Sequence, residues 1–266
     1  MNVFDPNIYV KTVTIVGLGG TGSQIARSAA RIVYDMKARR MHTPQLVLID
    51  PDTVEMKNVG RQLYTAGDVG QPKAHVLMRR FNCALGLDTV GIAEPLNAKK
   101  HFERQGGGIV IGAVDNHLAR QELSRVKNAL WIDAGNHFDA GNHFDAGQVV
   151  IGNQGDREVM MRHLDGKDGK YTYLPNAALV FPQLFEPEPA APQPTQPVSC
   201  AELVEKGSQH LLVNDWVAVV AAQYLYKLLH RAPITSFLSY ISSDGIGIRS
   251  IPITKDELSA YLGRGN

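Results

Sequence analysis

Four glycines within six residues, Gly17-Leu18-Gly19-Gly20-Thr21-Gly22, separate a β-branched run from a helical one. Thr12-Val13-Thr14-Ile15-Val16 predicts a buried strand. Thr21 to Tyr34 places Ile25, Ala26, Ala29, Ile32 and Val33 at helical spacing. Between a strand and a helix, G-x-G-x-x-G has a physical use at each glycine. Gly17 permits the tight turn, Gly19 lets backbone approach a phosphate, and Gly22 packs helix against strand. Gly20 lies in the same loop, at a helix N-terminus that favours negative charge. A nucleotide site is expected here. The default nucleotide for the pattern is NAD(P), with Asp50 at the end of the next strand holding ribose hydroxyls.

The rest of the chain continues the alternation. Strands are expected at 46–49, 108–112, 129–133 and 148–152, with helices at 73–85, 117–128 and 214–229. Continuously apolar strands between helices predict an α/β fold, doubly wound and Rossmann-like, with a mostly parallel sheet. Residues 235–254 carry β-type side chains around Ser243-Asp244-Gly245 and predict a late antiparallel extension. Five prolines between Glu186 and Val198 predict a crossover loop at about 182–199, inserted in a single domain spanning 1–266. At 44% hydrophobic and 20% charged, the chain can bury a sizeable core and is not disordered.

Charge and cysteine content exclude several classes. Lys and Arg number 27 against 26 Asp and Glu, so no global field draws nucleic acid or an anionic membrane. Two cysteines exclude a disulfide framework and a Cys₄ zinc site made by one chain. No apolar run approaches the roughly 20 residues of a membrane span, and Met1 to Pro6 has no secretory pattern. A soluble, cytoplasmic protein is expected. Cys83, among Phe81, Ala84 and Leu85, is expected to be buried in its helix. The hexamer Gly-Asn-His-Phe-Asp-Ala occurs twice, at 135–140 and 141–146. It reads as a tandem duplication that lengthens a strand or loop. A metal site at His137, Asp139, His143 and Asp145 is the weaker reading, because repetition does not select ligand geometry.

The residues beyond Asp50 argue against NAD(P). Asp52, Asn58, Arg61 and Gln62 come within a dozen residues, then Lys73, then Asp115-Asn116. A dehydrogenase has no need for that set, whereas a triphosphate does. Arg61 and Lys73 can neutralise phosphate charge as it shifts in a transition state. Asp115 can hold Mg²⁺, a cation that takes oxygen ligands and keeps several waters. Asp52 can bind the ribose, and Asn58 and Gln62 can orient phosphates.

The glycine loop, D-x-D-x-V at 50–54, N-x-x-R-Q at 58–62, G-x-x-K-A at 70–74 and D-N at 115–116 together resemble the ThiF/MoeB superfamily, adenylating enzymes related to ubiquitin-activating enzymes. Length and the Pro-rich approach to Ser199-Cys200-Ala201-Glu202 are most similar to ThiF proteins of PRTRC plasmid-associated systems. The resemblance implies use of ATP and Mg²⁺ without zinc. It implies attack of a C-terminal glycine carboxylate of a ubiquitin-like or sulfur-carrier β-grasp protein on the α-phosphate, and a homodimer. By motif, Asp52 holds ribose, Asn58, Arg61, Gln62 and Lys73 contact phosphates, Asn116 accompanies Asp115, and Asp115 serves the metal and the reacting carboxylate. Cys200 is a candidate thioester acceptor or, alternatively, a small buried residue. Two departures stand out: the chain has no CxxC pair, and residues 1–11 contain no Arg, only Lys11. An NAD(P) oxidoreductase and a non-catalytic ATP-binding adaptor remain as alternatives.

Overall fold

The computed structural model describes residues 1–102, 108–137, 146–187, 212–242 and 246–263. The strands are β1 (Val3–Phe4), β2 (Thr12–Val16), β3 (Gln45–Ile49), β4 (Val90–Ile92), β5 (Gly108–Gly112), β6 (Ala129–His137), β7 (Ala146–Gly152), β8 (Lys170–Tyr171), β9 (Ser236–Ser242) and β10 (Gly247–Pro252). The helices are α1 (Gly20–Ala38), α2 (Lys73–Leu85), α3 (Ala98–Phe102), α4 (His117–Ser124), α5 (Arg157–Arg162), α6 (Ala177–Val180), α7 (Val213–Leu229) and α8 (Lys255–Gly263).

Eight strands form one sheet in the order β10-β9-β7-β6-β5-β2-β3-β4. Strands β4, β3, β2, β5 and β6 run parallel. The pairs β6–β7, β7–β9 and β9–β10 are antiparallel. The α/β class, the parallel sheet and the late antiparallel strands thus match expectation. Strand β2 sits at the switch point: the chain runs outward through β3 and β4, then returns to β5 on the other side. Open α/β sheets bind ligands at the strand C-termini beside such a point.

Val13, Ile15, Leu48, Ile109 and Ile111 carry the middle of the sheet with almost no exposure, as strands covered on both faces require. Helix α1 lays Ile25, Ala26, Ala29, Ala30 and Val33 against it. Helix α7 is apolar almost all round and packs between α1 and strands β6 and β7.

Several expectations need correction. Helix α4 stops at Ser124 rather than at 128: the Arg125 and Val126 N–H groups bond three residues back, to Glu122 and Leu123, and Asn128 at φ +57° is left-handed, so the helix cannot continue to it. Strand β6 runs nine residues, to His137, and so takes in part of the first hexamer. Ala146, the last residue of the second hexamer, opens β7, and residues 138–145, including Asp139, His143 and Asp145, lie outside the described residues. Cys83 is exposed, not buried. The buried stripe of α2 ends at Phe81, one half-turn before Cys83. Elements of two to six residues, such as β1, β8, α3, α5 and α6, are too short to show a period in sequence.

The glycine loop shows why two of its positions are fixed. Gly17 has φ +82°, and a Cβ there would lie 2.5 Å from the Ala113 carbonyl oxygen. A Cβ on Gly22 would lie 1.8 Å from the Gly17 carbonyl oxygen, so α1 approaches β2 backbone to backbone. We expect Gly22→Ala to lower stability by about 3 kcal/mol through overpacking, read as a fall in urea midpoint. A midpoint equal to wild type would contradict this packing.

Candidate nucleotide site

Three strand ends build the site. The Gly17 N–H donates to the Ile49 carbonyl at 3.0 Å, which lays the glycine loop against the end of β3. The Ala113 N–H donates to the Val16 carbonyl at 2.8 Å, which lays the 113–116 turn against the end of β2. Beyond the turn, α1 begins with neither a side-chain cap nor an acidic residue in its first turn. A Cβ built on Gly19 would meet no atom within 4 Å. Gly19 is therefore not required by protein packing, and its open side with free helix N–H groups fits a phosphate.

Asp50 closes this arrangement from within. It is 4% exposed. One oxygen accepts the Leu18 N–H at 2.5 Å, the other the Asp52 N–H at 2.8 Å. Both oxygens are thus engaged by backbone, and the ribose role assigned to Asp50 under NAD(P) finds a buried carboxylate already in use. Asp52, one step further out, has an exposed side chain. Its Oδ2 pairs with Lys73 Nζ at 2.9 Å, and its carbonyl accepts the Lys73 N–H at 2.9 Å. Lys73 is 7% exposed, so its charge is buried and held by Asp52.

Asn58, Arg61 and Gln62 sit on the loop from β3 to α2. Its base is closed by the bridge Thr53–Pro72 and by Val54, whose N–H donates to the Gln71 carbonyl at 2.9 Å. The Asn58 side-chain oxygen accepts the Glu55 N–H at 2.8 Å within a short turn, so this residue shapes the loop. The Arg61 and Gln62 N–H groups both donate to the Asn58 carbonyl. The Gln62 Oε1 is buried without a hydrogen-bond partner among the described residues. Tyr64, buried at 4%, ties the loop to the site: its hydroxyl donates to the Leu18 carbonyl at 2.9 Å. On the far side, Asp115 and Asn116 are exposed, and the Asn116 Oδ1 caps α4 by accepting the Ala119 N–H at 2.8 Å. Cys200 lies outside the described residues.

The ThiF family profile matches residues 7–257. The chain belongs to the ThiF family. Among solved structures, this ThiF-family chain is similar to E. coli MccB with ATP, at 18% identity over 94% of this chain and 64% of that one, with a TM-score of 0.53. It is similar to E. coli MccB with MccA-N7isoASN at 17% identity over 92% and 65%, with a TM-score of 0.55. PaaA gives 15% identity over 91% and 64%, with a TM-score of 0.55. At such identities the likeness establishes the fold, and the chain spans less than two thirds of the length of those proteins. No curated protein sequence matches it. Among the described residues no helix is long and apolar enough to cross a membrane, and no group of three or more His, Cys, Asp and Glu could hold a metal ion.

Two site neighbours carry no sequence signal. Tyr64 comes two residues after Gln62 but belongs to no motif. Asn214 opens α7 and accepts the Thr21 hydroxyl at 3.0 Å, bringing a residue 193 positions away to the glycine loop.

Burial pushes the Asp50 carboxyl above the usual carboxylate value, against the pull of Lys73 and the two backbone donors. The folded ThiF-family chain therefore keeps this proton to higher pH than the unfolded chain does. The contribution of Asp50 to stability is greatest below its unfolded value, roughly pH 4, and declines as pH rises through the folded value. Asp50→Asn should flatten that part of the pH–stability curve in urea titrations. A slope equal to wild type would overturn the assignment.

Proposed function

We propose that this chain is an ATP-dependent adenylating enzyme that activates the C-terminal carboxylate of a peptide or carrier protein. The observation that carries the reading is the joining, at the ends of β2, β3 and β5, of an open glycine loop, an exposed Asp52 paired with Lys73, and the turn bearing Asp115. Membership of the ThiF family and likeness to MccB crystallised with ATP support it. The residues fit the nucleotide. The α1 N-terminus beside Gly19 would receive a phosphate and Asp52 the ribose. Arg61, Gln62 and Lys73 would face the remaining phosphates, and Asp115 with Asn116 would stand over the metal.

The chemistry needs little from the chain beyond placement and charge. A terminal carboxylate is ionised at neutral pH, so no general base is required. A carboxylate oxygen bonds to the α-phosphorus while the bond to the bridging oxygen breaks, and pyrophosphate leaves with that electron pair. Negative charge moves onto the leaving group, where Arg61 and Lys73 stabilise it. Mg²⁺ would supply charge neutralisation across the phosphates.

The finer parts of the proposal rest on the motif resemblance. The acceptor is a ubiquitin-like or sulfur-carrier β-grasp protein with a C-terminal glycine. The acyl group then passes from AMP to Cys200 Sγ as a thioester, with AMP leaving and the thiol proton going to solvent. The working form is a cytoplasmic homodimer of one-domain chains, 1–266, of the PRTRC type. Asp50 takes no part in ribose binding in this reading and serves the loop instead.

Calorimetric titration with ATP·Mg²⁺, and separately with NADH and NADPH, tests the nucleotide. ATP should bind, and Asp52→Ala and Arg61→Ala should each weaken it by about tenfold or more, the worth of one charge-assisted contact. Tight NADH or NADPH binding with no ATP binding would overturn the proposal.

A further inference from the structure

The turn that carries Asp115 hangs on α4, which is tied on its outer side by Gln121 Nε2 donating to the Phe185 carbonyl at 2.8 Å and by Glu122 accepting the Ala98 N–H at 3.0 Å. Of its eight residues only Arg120 and Leu123 are buried. On that buried face Leu123 supplies the apolar contact and Arg120 the charge. Arg120 is 7% exposed, and its Nε lies 3.7 Å from Oδ1 of Asp133, which is 1% exposed on β6. Gln148 of β7 and Trp131 of β6 border the same place. A Cβ on Gly135 would lie 3.0 Å from both Arg120 Nη2 and Gln148 Nε2, and one on Gly112 3.1 Å from Trp131 Nε1. Arg120 Nε, both Asp133 oxygens, both Gln148 amide atoms and Trp131 Nε1 are buried without hydrogen-bond partners among the described residues.

Folding does not call for such a group. Apolar side chains of the same volume would stabilise the fold as well or better. An ion pair in a low-dielectric setting adds a preferred geometry. From Arg120 that geometry reaches Asp115 in short steps. The Arg120 N–H donates to the Asn116 carbonyl at 3.3 Å, and the Asn116 side-chain amide reaches Asp115 Oδ1 at 3.5 Å. The other end of the turn meets the same strand position, since Asp133 pairs in register with Gly112, the last residue of β5.

We infer that Arg120 and Asp133 are positioning residues that set the Asp115 carboxylate for the Mg²⁺ carried by the nucleotide. The inference rests on the adenylating function proposed above. The glycine loop, Asp52 and Lys73 stand on other elements, so nucleotide affinity without metal should not depend on the pair.

Titrating the full chain with ATP, once in Mg²⁺ and once in EDTA, separates the two. Wild type should bind more tightly in Mg²⁺. Asp133→Asn keeps the shape but strands the Arg120 charge. The double variant Arg120→Met/Asp133→Leu removes the pair without stranding a charge, and should melt cooperatively. In both, affinity in EDTA should stay within about twofold of wild type, while the Mg²⁺ gain, about tenfold or more, is lost. A folded double variant that keeps the full Mg²⁺ gain shows that the pair only packs, and overturns the inference while the proposed function stands. Wild-type ATP binding indifferent to Mg²⁺ also overturns the inference alone. A wild type that binds no ATP removes the proposed function and the inference together.

Discussion

A single carboxylate organises the nucleotide end of the sheet. Asp50 accepts one backbone N–H from the glycine loop and one from the chain leaving β3. Neither donor has a strand or helix partner at that point, and a buried N–H left unpaired costs about 1–3 kcal/mol. The same bonds fix geometry across 32 residues of sequence. With Leu18 held, its carbonyl is placed for Tyr64 and thereby for the loop that carries Asn58, Arg61 and Gln62. With Asp52 held, its carbonyl and carboxylate are placed for Lys73. Nearly every candidate site residue on the β3 side is thus suspended from Asp50.

Two buried acids on the same sheet, Asp50 just past β3 and Asp133 within β6, meet their charge differently. Asp50 is compensated by the charge of Lys73 and by two backbone donors. Asp133 has no backbone donor among the described residues, and Arg120 faces it. Burial raises both carboxyls, yet the first shapes a loop and the second mounts a helix. The β3 side of the site is therefore held largely through backbone hydrogen bonds, and the β5 side through a side-chain ion pair.

Much of this is legible in the chain. The alternation of apolar strands with helices sets the class, and the glycine spacing marks the place where strand, turn and helix meet. Gly22 is readable because its tightest contact, with the Gly17 carbonyl, lies five residues away in sequence. Asp50 is legible as an acid at a strand end, but not in its role, because a carboxylate bonded to backbone and one bonded to ribose look the same in sequence. Asn58 poses the same ambiguity: a turn-closing amide and a phosphate-binding amide share one letter. The exposure of Cys83 is hidden because an apolar neighbourhood along the helix does not say where the buried stripe ends. Tyr64, Asn214 and the Arg120–Asp133 pair are out of reach. Their partners lie in other elements, and only tertiary packing brings them together.

The repeated hexamer straddles the end of the β6–β7 ladder, where His137 and Ala146 are the last residues to pair. Further back along the same ladder Gln148 faces Gly135, the first residue of the repeat, and Asp133 faces Val150, outside it. An insertion inside the ladder would turn core side chains to the wrong face when odd in length, and shift their partners in any case. At the ladder's end it does neither. Copy number can drift here without selection for the core opposing it, so orthologues of this chain should differ in length between these two strands while the strands themselves stay in step.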